Sequence, residues 1–425
     1  MKLYKLYPRA LWTTVCGLII LPALWADDSN YQRYMVGDRA AGMGGAVVSI
    51  ANGVDACYYN PAGLGRVKAN TLSISANLYG FEKYSVDDAW FPNEDFNTTS
   101  FISIPTTMGS IFKLGSKNAA VAFSVFIPDK TSFHEISAFT DRQHYTTYSR
   151  DDQQLWIGPS IGGQITPQIS LGLSVFGVYR TYSEFESIYW GNSPSLSISQ
   201  DIKAYTLNVA SIWGIQFHPT DRWNCGLTFQ TPQFSVLENG EVQYQYMLQQ
   251  ADSGSFYADN LTVKNDVPMQ ISVGIGQDEQ DVYAWGVDLS WHLPTSFTSI
   301  EGESQTGSNV ATRIQRKGIV DVNLGGEYII RKKYPVRAGF FTSFSSAPDV
   351  DINNPNSIGH IDEYGLTLSV GRRSSIIDAN VGLNYLFGHG NELGYDTNEQ
   401  GDMVHKVVSA REQRIYLFFN TSYHF

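Results

Sequence analysis

Beyond Met1–Ala26, the 425-residue chain has no apolar run approaching the ~20 residues that a membrane helix needs. Its mean hydropathy of −0.19 is too polar for a bundle of such helices. Charge is sparse, at 16% of residues, and leans acidic, with 29 Lys and Arg against 41 Asp and Glu. A chain of that sign carries no basic footprint for nucleic acid, so no nucleic-acid partner is expected. Cysteine is scarce, at three residues. The eight histidines show no H-x-x-H or HExxH spacing, which leaves no metal site to expect. Gly42-Met43-Gly44-Gly45 has no Lys-Ser/Thr after it and no strand before it, so it is not a phosphate loop. G-x-S-x-G is spelled once, at Gly158–Gly162, with no helical pattern after it to make a nucleophile elbow. Neither a cofactor nor an enzymatic role is expected, although a Ser/His pair brought together only by folding stays open.

What the chain does have is aromatic residues, at 13%, and 38 glycines. Its first 26 residues read as a secretory signal peptide: Lys2, Lys5 and Arg9 are basic, Leu11 to Leu24 are apolar, and Ala26 is a cleavage point before Asp27. An N-terminal anchor is the alternative, but the apolar stretch is short for that. Removing the segment leaves 26 basic and 41 acidic residues, a net charge of about −15. It also leaves only Cys57 and Cys225, whose pairing an oxidising compartment permits and nothing in the sequence requires.

Strict alternation starts at Thr71 and recurs to the end. The last stretch is the clearest, with Ile415, Leu417, Phe419, Thr421, Tyr423 and Phe425 on one row. Arg414, Tyr416, Phe418, Asn420, Ser422 and His424 form the other, more polar row. A period of two is the mark of a strand whose faces see different surroundings. The same pattern recurs at Ile169–Val175, Tyr283–Trp291 and Val381–Phe387, where the second face carries mainly Gly, Ser, Ala and Asn. A sandwich would put charged residues there. Short turns, such as Thr166-Pro167-Gln168 and Arg331-Lys332, alternate with long polar stretches near 82–98, 129–152, 183–198, 233–255, 293–315, 345–359 and 388–409. Alternation of that kind over about fourteen segments predicts an all-β fold, a transmembrane antiparallel β-barrel in residues 71–425.

Residues 27–70 differ, with small residues and no alternation. They hold G-D-R-A-A-G-M-G-G-A from Gly37 and the turn Asn60-Pro61-Ala62-Gly63. Compact structure with one or two short helices is expected, packed inside the barrel lumen. Together with D-A-C-Y-Y-N-P-A-G-L, this stretch resembles the N-terminal hatch of FadL-type outer-membrane transporters, which include long-chain fatty-acid and aromatic-hydrocarbon channels. V-P-M-Q-I-S-V-G-I-G (Val267–Gly276), W-G-V-D-L-S-W (Trp285–Trp291), L-G-G-E-Y (Leu324–Tyr328) and V-R-A-G-F (Val336–Phe340) are similar to strand phrases of the same family.

The resemblance implies a bacterial outer-membrane protein whose barrel of fourteen strands is plugged by residues 27–70. It implies gating at Asn60, Pro61, Ala62 and Gly63, which the residues alone mark as turn formers. Val47, Val48, Ile50, Tyr58 and Leu64 would line a hydrophobic ligand pocket or anchor the plug. Asp288, Glu327 and Arg337 fall on the lumen side and are expected to pair, since a buried charge is costly alone. The family's third strand is kinked beside a lateral exit, yet Ala119–Pro128 contains no Gly to mark one. Implied partners are outer-membrane lipid and lipopolysaccharide, a hydrophobic small molecule, and the barrel-assembly machinery, for which an aromatic last residue such as Phe425 resembles the recognition signal. Two roles stay open: passive uptake of fatty acids or hydrocarbons, and a barrel that anchors or docks a secretion or assembly partner.

Overall fold

Where apolar and small residues alternate, the chain becomes strand. In the computed structural model the described residues are 29–425, apart from 91, 105–106, 116–117, 140–143, 192–194, 249–251, 280, 304–308, 355–356 and 399–402. The expected signal peptide, Met1–Ala26, lies outside them. No helix among the described residues is long and apolar enough to cross a membrane.

Fourteen antiparallel strands close into a barrel. They are β1 (Thr71–Val86), β2 (Phe96–Ile104 and Thr107–Lys113), β3 (Ala119–Phe139), β4 (His144–Gln164), β5 (Ile169–Trp190) and β6 (Leu196–Phe217). After these come β7 (Trp223–Gln230 and Phe234–Leu248), β8 (Asp252–Val263 and Gln270–Glu279), β9 (Tyr283–His292 and Thr295–Glu303) and β10 (Asn309–Arg316 and Ile319–Ile330). The last four are β11 (Tyr334–Ser343), β12 (His360–Arg372), β13 (Ile377–Thr397) and β14 (Met403–His424). β1 pairs with β14 from Thr71↔His424 to Val86↔Ala410, so the first and last strands close the ring. The rows of β14 face as their chemistry requires. Arg414, Tyr416, Phe418, Asn420 and Ser422 are buried inward, while Ile415, Leu417, Phe419, Tyr423 and Phe425 face out. Outward side chains such as Phe101 (60% exposed) and Leu368 (59%) need no protein partner if hydrocarbon surrounds them.

The long polar stretches are less loop than the sequence suggested. Strand continues through most of 129–152 and 183–198 as tall hairpins (β3–β4 and β5–β6). Polar residues alternate there with Phe, Tyr and Ile, and the ladder keeps their backbone groups satisfied. At the opposite end the turns are tight: Arg331 and Lys332 both adopt positive φ, as a two-residue hairpin demands.

β7 to β10 are all interrupted at one level, at residues 231–233, 264–269, 293–294 and 317–318. Three of these breaks hold a proline (Pro232, Pro268, Pro294), which has no N–H to give a ladder. Beyond the breaks the inner faces of β8–β10 fold against those of β5 and β6. Leu261, Val263, Phe297 and Ile300 meet Tyr182 and Ile202 in a second apolar core.

Residues 29–70 lie inside the ring of strands. They form α1 (Asp38–Gly42), α2 (Ala56–Tyr59) and a 3-10 turn (Pro61–Arg66). Glycines of the wall make room for them. A Cβ at Gly172, Gly214, Gly226 or Gly325 would overlap Pro61, Asn60, Val48 or Met43. Glycine on the lumen face is therefore how the wall admits a second backbone at close range.

Candidate functional site

The turn at Asn60 is built from its own side chain. Asn60 Oδ1 accepts from the Ala62 amide at 3.1 Å, while Nδ2 donates to the carbonyls of Val48 (2.7 Å) and Ile215 of β6 (3.1 Å). Pro61 sits at the first helical position, where its missing N–H leaves nothing unsatisfied. Asn60, Pro61, Ala62, Gly63 and Leu64 are all buried. Val47, Ile50 and Leu64 belong to one close-packed core with Phe126, Trp156 and Phe176 of the wall, and Tyr58 packs against it. Val48 and Tyr58 border small voids of about 50–60 Å³, and at this level the described side chains pack into the lumen core.

The three lumenal charges do not form one network. Arg337 Nε donates to Glu327 Oε2 at 2.6 Å, and Arg39 of α1 reaches Glu327 Oε1 at 3.1 Å and Asp278 at 2.9 Å. Arg337 also holds Asn380, which in turn donates to Asp38. Asp288 stands apart, accepting the Val48 amide at 2.8 Å. Both arrangements tie residues 29–70 to the wall, and α1 contributes a cation, Arg39, that a reading of the strands alone misses. Cys57, in α2, faces this interior, whereas Cys225 follows the outward row of β7, and both thiols are free. Opposite sides of the wall keep them from pairing.

The larger interior cavity, about 210 Å³, lies higher, in the half of the barrel away from the short turns. Its aromatic lining comes from Tyr84 of β1, Phe96 of β2, Phe133 of β3, Tyr148 of β4 and Tyr395 of β13, with Trp90 from the β1–β2 connection. Trp90 stacks parallel to Tyr395 at 5.7 Å between centroids, and the Tyr395 amide donates to the Ala89 carbonyl at 3.0 Å. The acids around it mostly have partners. Tyr84 donates to Glu392 at 2.9 Å, and Arg414 holds Glu82 at 2.7 Å together with Glu412 and Glu363. None of these lining residues was singled out from the sequence, because Trp90 and Tyr395 fall in stretches that read as polar connections. The signal was there, in aromatics recurring within those stretches.

The backbone ladder beside this cavity is interrupted, although Glu135 of outer β3 and Thr98 of β2 bond through their side chains. Thr107–Lys113 of β2 pairs with both β1 and β3, but Phe96–Ile104 pairs with β1 alone. β3 carries a bulge between Phe126 and Asp129, at Ile127-Pro128, and past it pairs only with β4. Among the described residues no ladder joins Phe96–Ile104 to the outer part of β3. The irregularity that glycine failed to mark is marked by proline. Phe96, Thr98 and Ser100 on one side of this seam, and Phe133 on the other, all line the cavity. Among the described residues no cluster of three His, Cys, Asp or Glu is placed to hold a metal.

No family model matches the chain, and no curated protein matches it. Solved structures do. A Pseudomonas aeruginosa FadL homologue superposes with a TM-score of 0.66 at 13% identity, over 93% of this chain and 100% of its own. The Pseudomonas putida toluene transporter TodX gives 0.68 at 13% identity, covering 93% and 99%. The Ralstonia pickettii toluene transporter TbuX gives 0.64 at 15% identity, with the same coverages. Identity this low carries the architecture alone. In fold, the chain is a closed antiparallel β-barrel of fourteen strands, with the architecture of these FadL-type structures.

Proposed function

We propose that the chain is an outer-membrane channel for passive uptake of small hydrophobic compounds, with the aromatic cavity as the station where they bind. The observation that carries this reading is the cavity's position against the unladdered seam between β2 and β3. A compound held there would leave sideways into the bilayer without crossing the charged lumen below. Lipopolysaccharide bars apolar solutes, and an aqueous pore offers them no favourable route, so a lateral path answers a physical need. Volume narrows the cargo. An apolar cavity of ~150 Å³ takes up benzene, so about 210 Å³ suits one ring with a short substituent better than a long-chain fatty acid. The toluene transporters that share the fold support the same class. In this reading residues 29–70 are the hatch, the turn at Asn60–Gly63 keeps the lower lumen shut, and no chemical step is called for.

A docking or assembly platform is the second reading. It expects a lumen filled beside Asn60–Leu64, and that level is filled. A platform has no use for an aromatic cavity opening on a seam, which favours the channel.

The test is a reversible lock on the seam. Ser100→Cys and Phe133→Cys, in a Cys225→Ser background, are joined by a reducible bifunctional reagent in cells that otherwise take up ethylbenzene poorly. Uptake should fall on cross-linking and return on reduction. Uptake that ignores the cross-link removes lateral release, and a chain giving no uptake in any state removes the channel.

A further inference from the structure

Most carboxylates at the cavity have an identifiable partner. Glu82 and Glu412 share Arg414, and Glu392 accepts from Tyr84 and from the Leu393 amide. Nearby, Glu184 accepts from Tyr148 (2.8 Å) and Tyr182 (2.6 Å), and Asp152 is held by Arg180 and Arg150. Glu186 of β5 is the exception. It lines the cavity, is 9% exposed, and has no hydrogen bond or ion pair among the described residues. Its charged neighbour is Glu184, a like charge two residues away on the same face of the strand. A carboxyl withdrawn from water without a partner is costly, and a well-packed fold does not keep one for stability.

The cavity's charged lining is mostly of the same sign. Four glutamates and one arginine line it, and that arginine, Arg150, already contacts Asp152. A fatty-acid carboxylate entering here would meet repulsion. An ammonium would meet the reverse: a carboxyl to pair with, and the faces of Trp90, Tyr395, Tyr148 and Phe96 for its cation and its ring. We propose that the cavity's preferred ligand is a monocyclic aromatic amine, bound through its ammonium group to Glu186, and that carboxylates of the same size are excluded. This rests on the channel reading for the cavity and goes further by naming the headgroup.

Three molecules of nearly equal shape separate the possibilities: phenethylamine, ethylbenzene and phenylpropionate. Their binding to the full-length chain purified in detergent is measured by equilibrium dialysis, for the native protein and for Glu186→Gln. Phenethylamine should bind at least about fivefold tighter than ethylbenzene, and phenylpropionate weakest of the three. Glu186→Gln should weaken phenethylamine at least about fivefold while leaving ethylbenzene within about twofold. A smaller preference for the amine, or a smaller loss in the variant, overturns the assignment while ethylbenzene binding keeps the channel reading. Binding of none of the three brings both down. The native protein's ranking tests the idea without any variant, and Glu186→Gln keeps the side chain's size while breaking no hydrogen bond or ion pair found among the described residues.

Discussion

At Gly172, Gly214 and Gly226 the barrel wall meets the backbone of the N-terminal segment with nothing between. A methyl group would suffice to push them apart. Gly172→Val should therefore cost about 1–3 kcal/mol through overpacking against Pro61, read as a lower temperature at which the purified barrel loses its compact mobility on a detergent gel. The cysteines give a second residue-level expectation. Burial pushes the Cys57 thiol up to about 11, so it is almost entirely protonated at neutral pH. A maleimide should label Cys57 only after unfolding, and labelling of the folded protein at this position would contradict the placement of α2 inside the barrel. The charges were partly legible at this scale. Glu327 and Arg337 announced a lumenal pair because charge on an inward row must be compensated. That Asp288 would instead cap the Val48 amide depends on a contact 240 positions apart in sequence, which no local pattern encodes.

Among the elements, the strands were the most readable and the cavity the least. Alternation located β1, β5, β12 and β14 because a lipid-facing row and a crowded row differ in size and polarity at every step. The bulge at Ile127-Pro128 and the breaks in β7–β10 left no such trace, since proline is as common in loops as at strand defects. The tall hairpins were misread as loops because polar and charged residues dominate their composition, although Phe, Tyr and Ile still recur at alternate positions. The N-terminal segment is the element whose removal is most informative. Its contacts are with the lumen, while the ring is closed independently by β1 and β14. Deleting residues 29–66 should leave a folded barrel with a water-filled lumen, giving steady single-channel conductance in a planar bilayer where the intact chain gives little. Equal conductance from both would mean that the segment does not seal the interior.

For the whole molecule, two seams can be told apart. The β1–β14 seam is laddered along its length, with a bulge near Ala76 and Tyr79, whereas among the described residues the β2–β3 seam has no ladder in its outer half. Cysteines placed at Ile74 and Thr421, which face each other across the closing seam, should cross-link without changing ethylbenzene uptake. A loss equal to that from locking Ser100 to Phe133 would mean that general rigidity, not the gap, governs transport. The overall architecture was legible from rhythm alone because every strand repeats it. The asymmetry of the barrel was not, because it arises from which strands end up opposite one another.

That asymmetry has a consequence for traffic at the cell surface. Leu261, Val263, Phe297 and Ile300 are sealed against Tyr182 and Ile202, so one flank of the outer vestibule is glued shut. Under the proposed channel, an arriving molecule would land on the other flank, the one that holds the aromatic chamber and the seam without a ladder. The barrel is round in its hydrogen bonding but one-sided in use, and surface substitutions should be tolerated over the sealed flank and felt over the other.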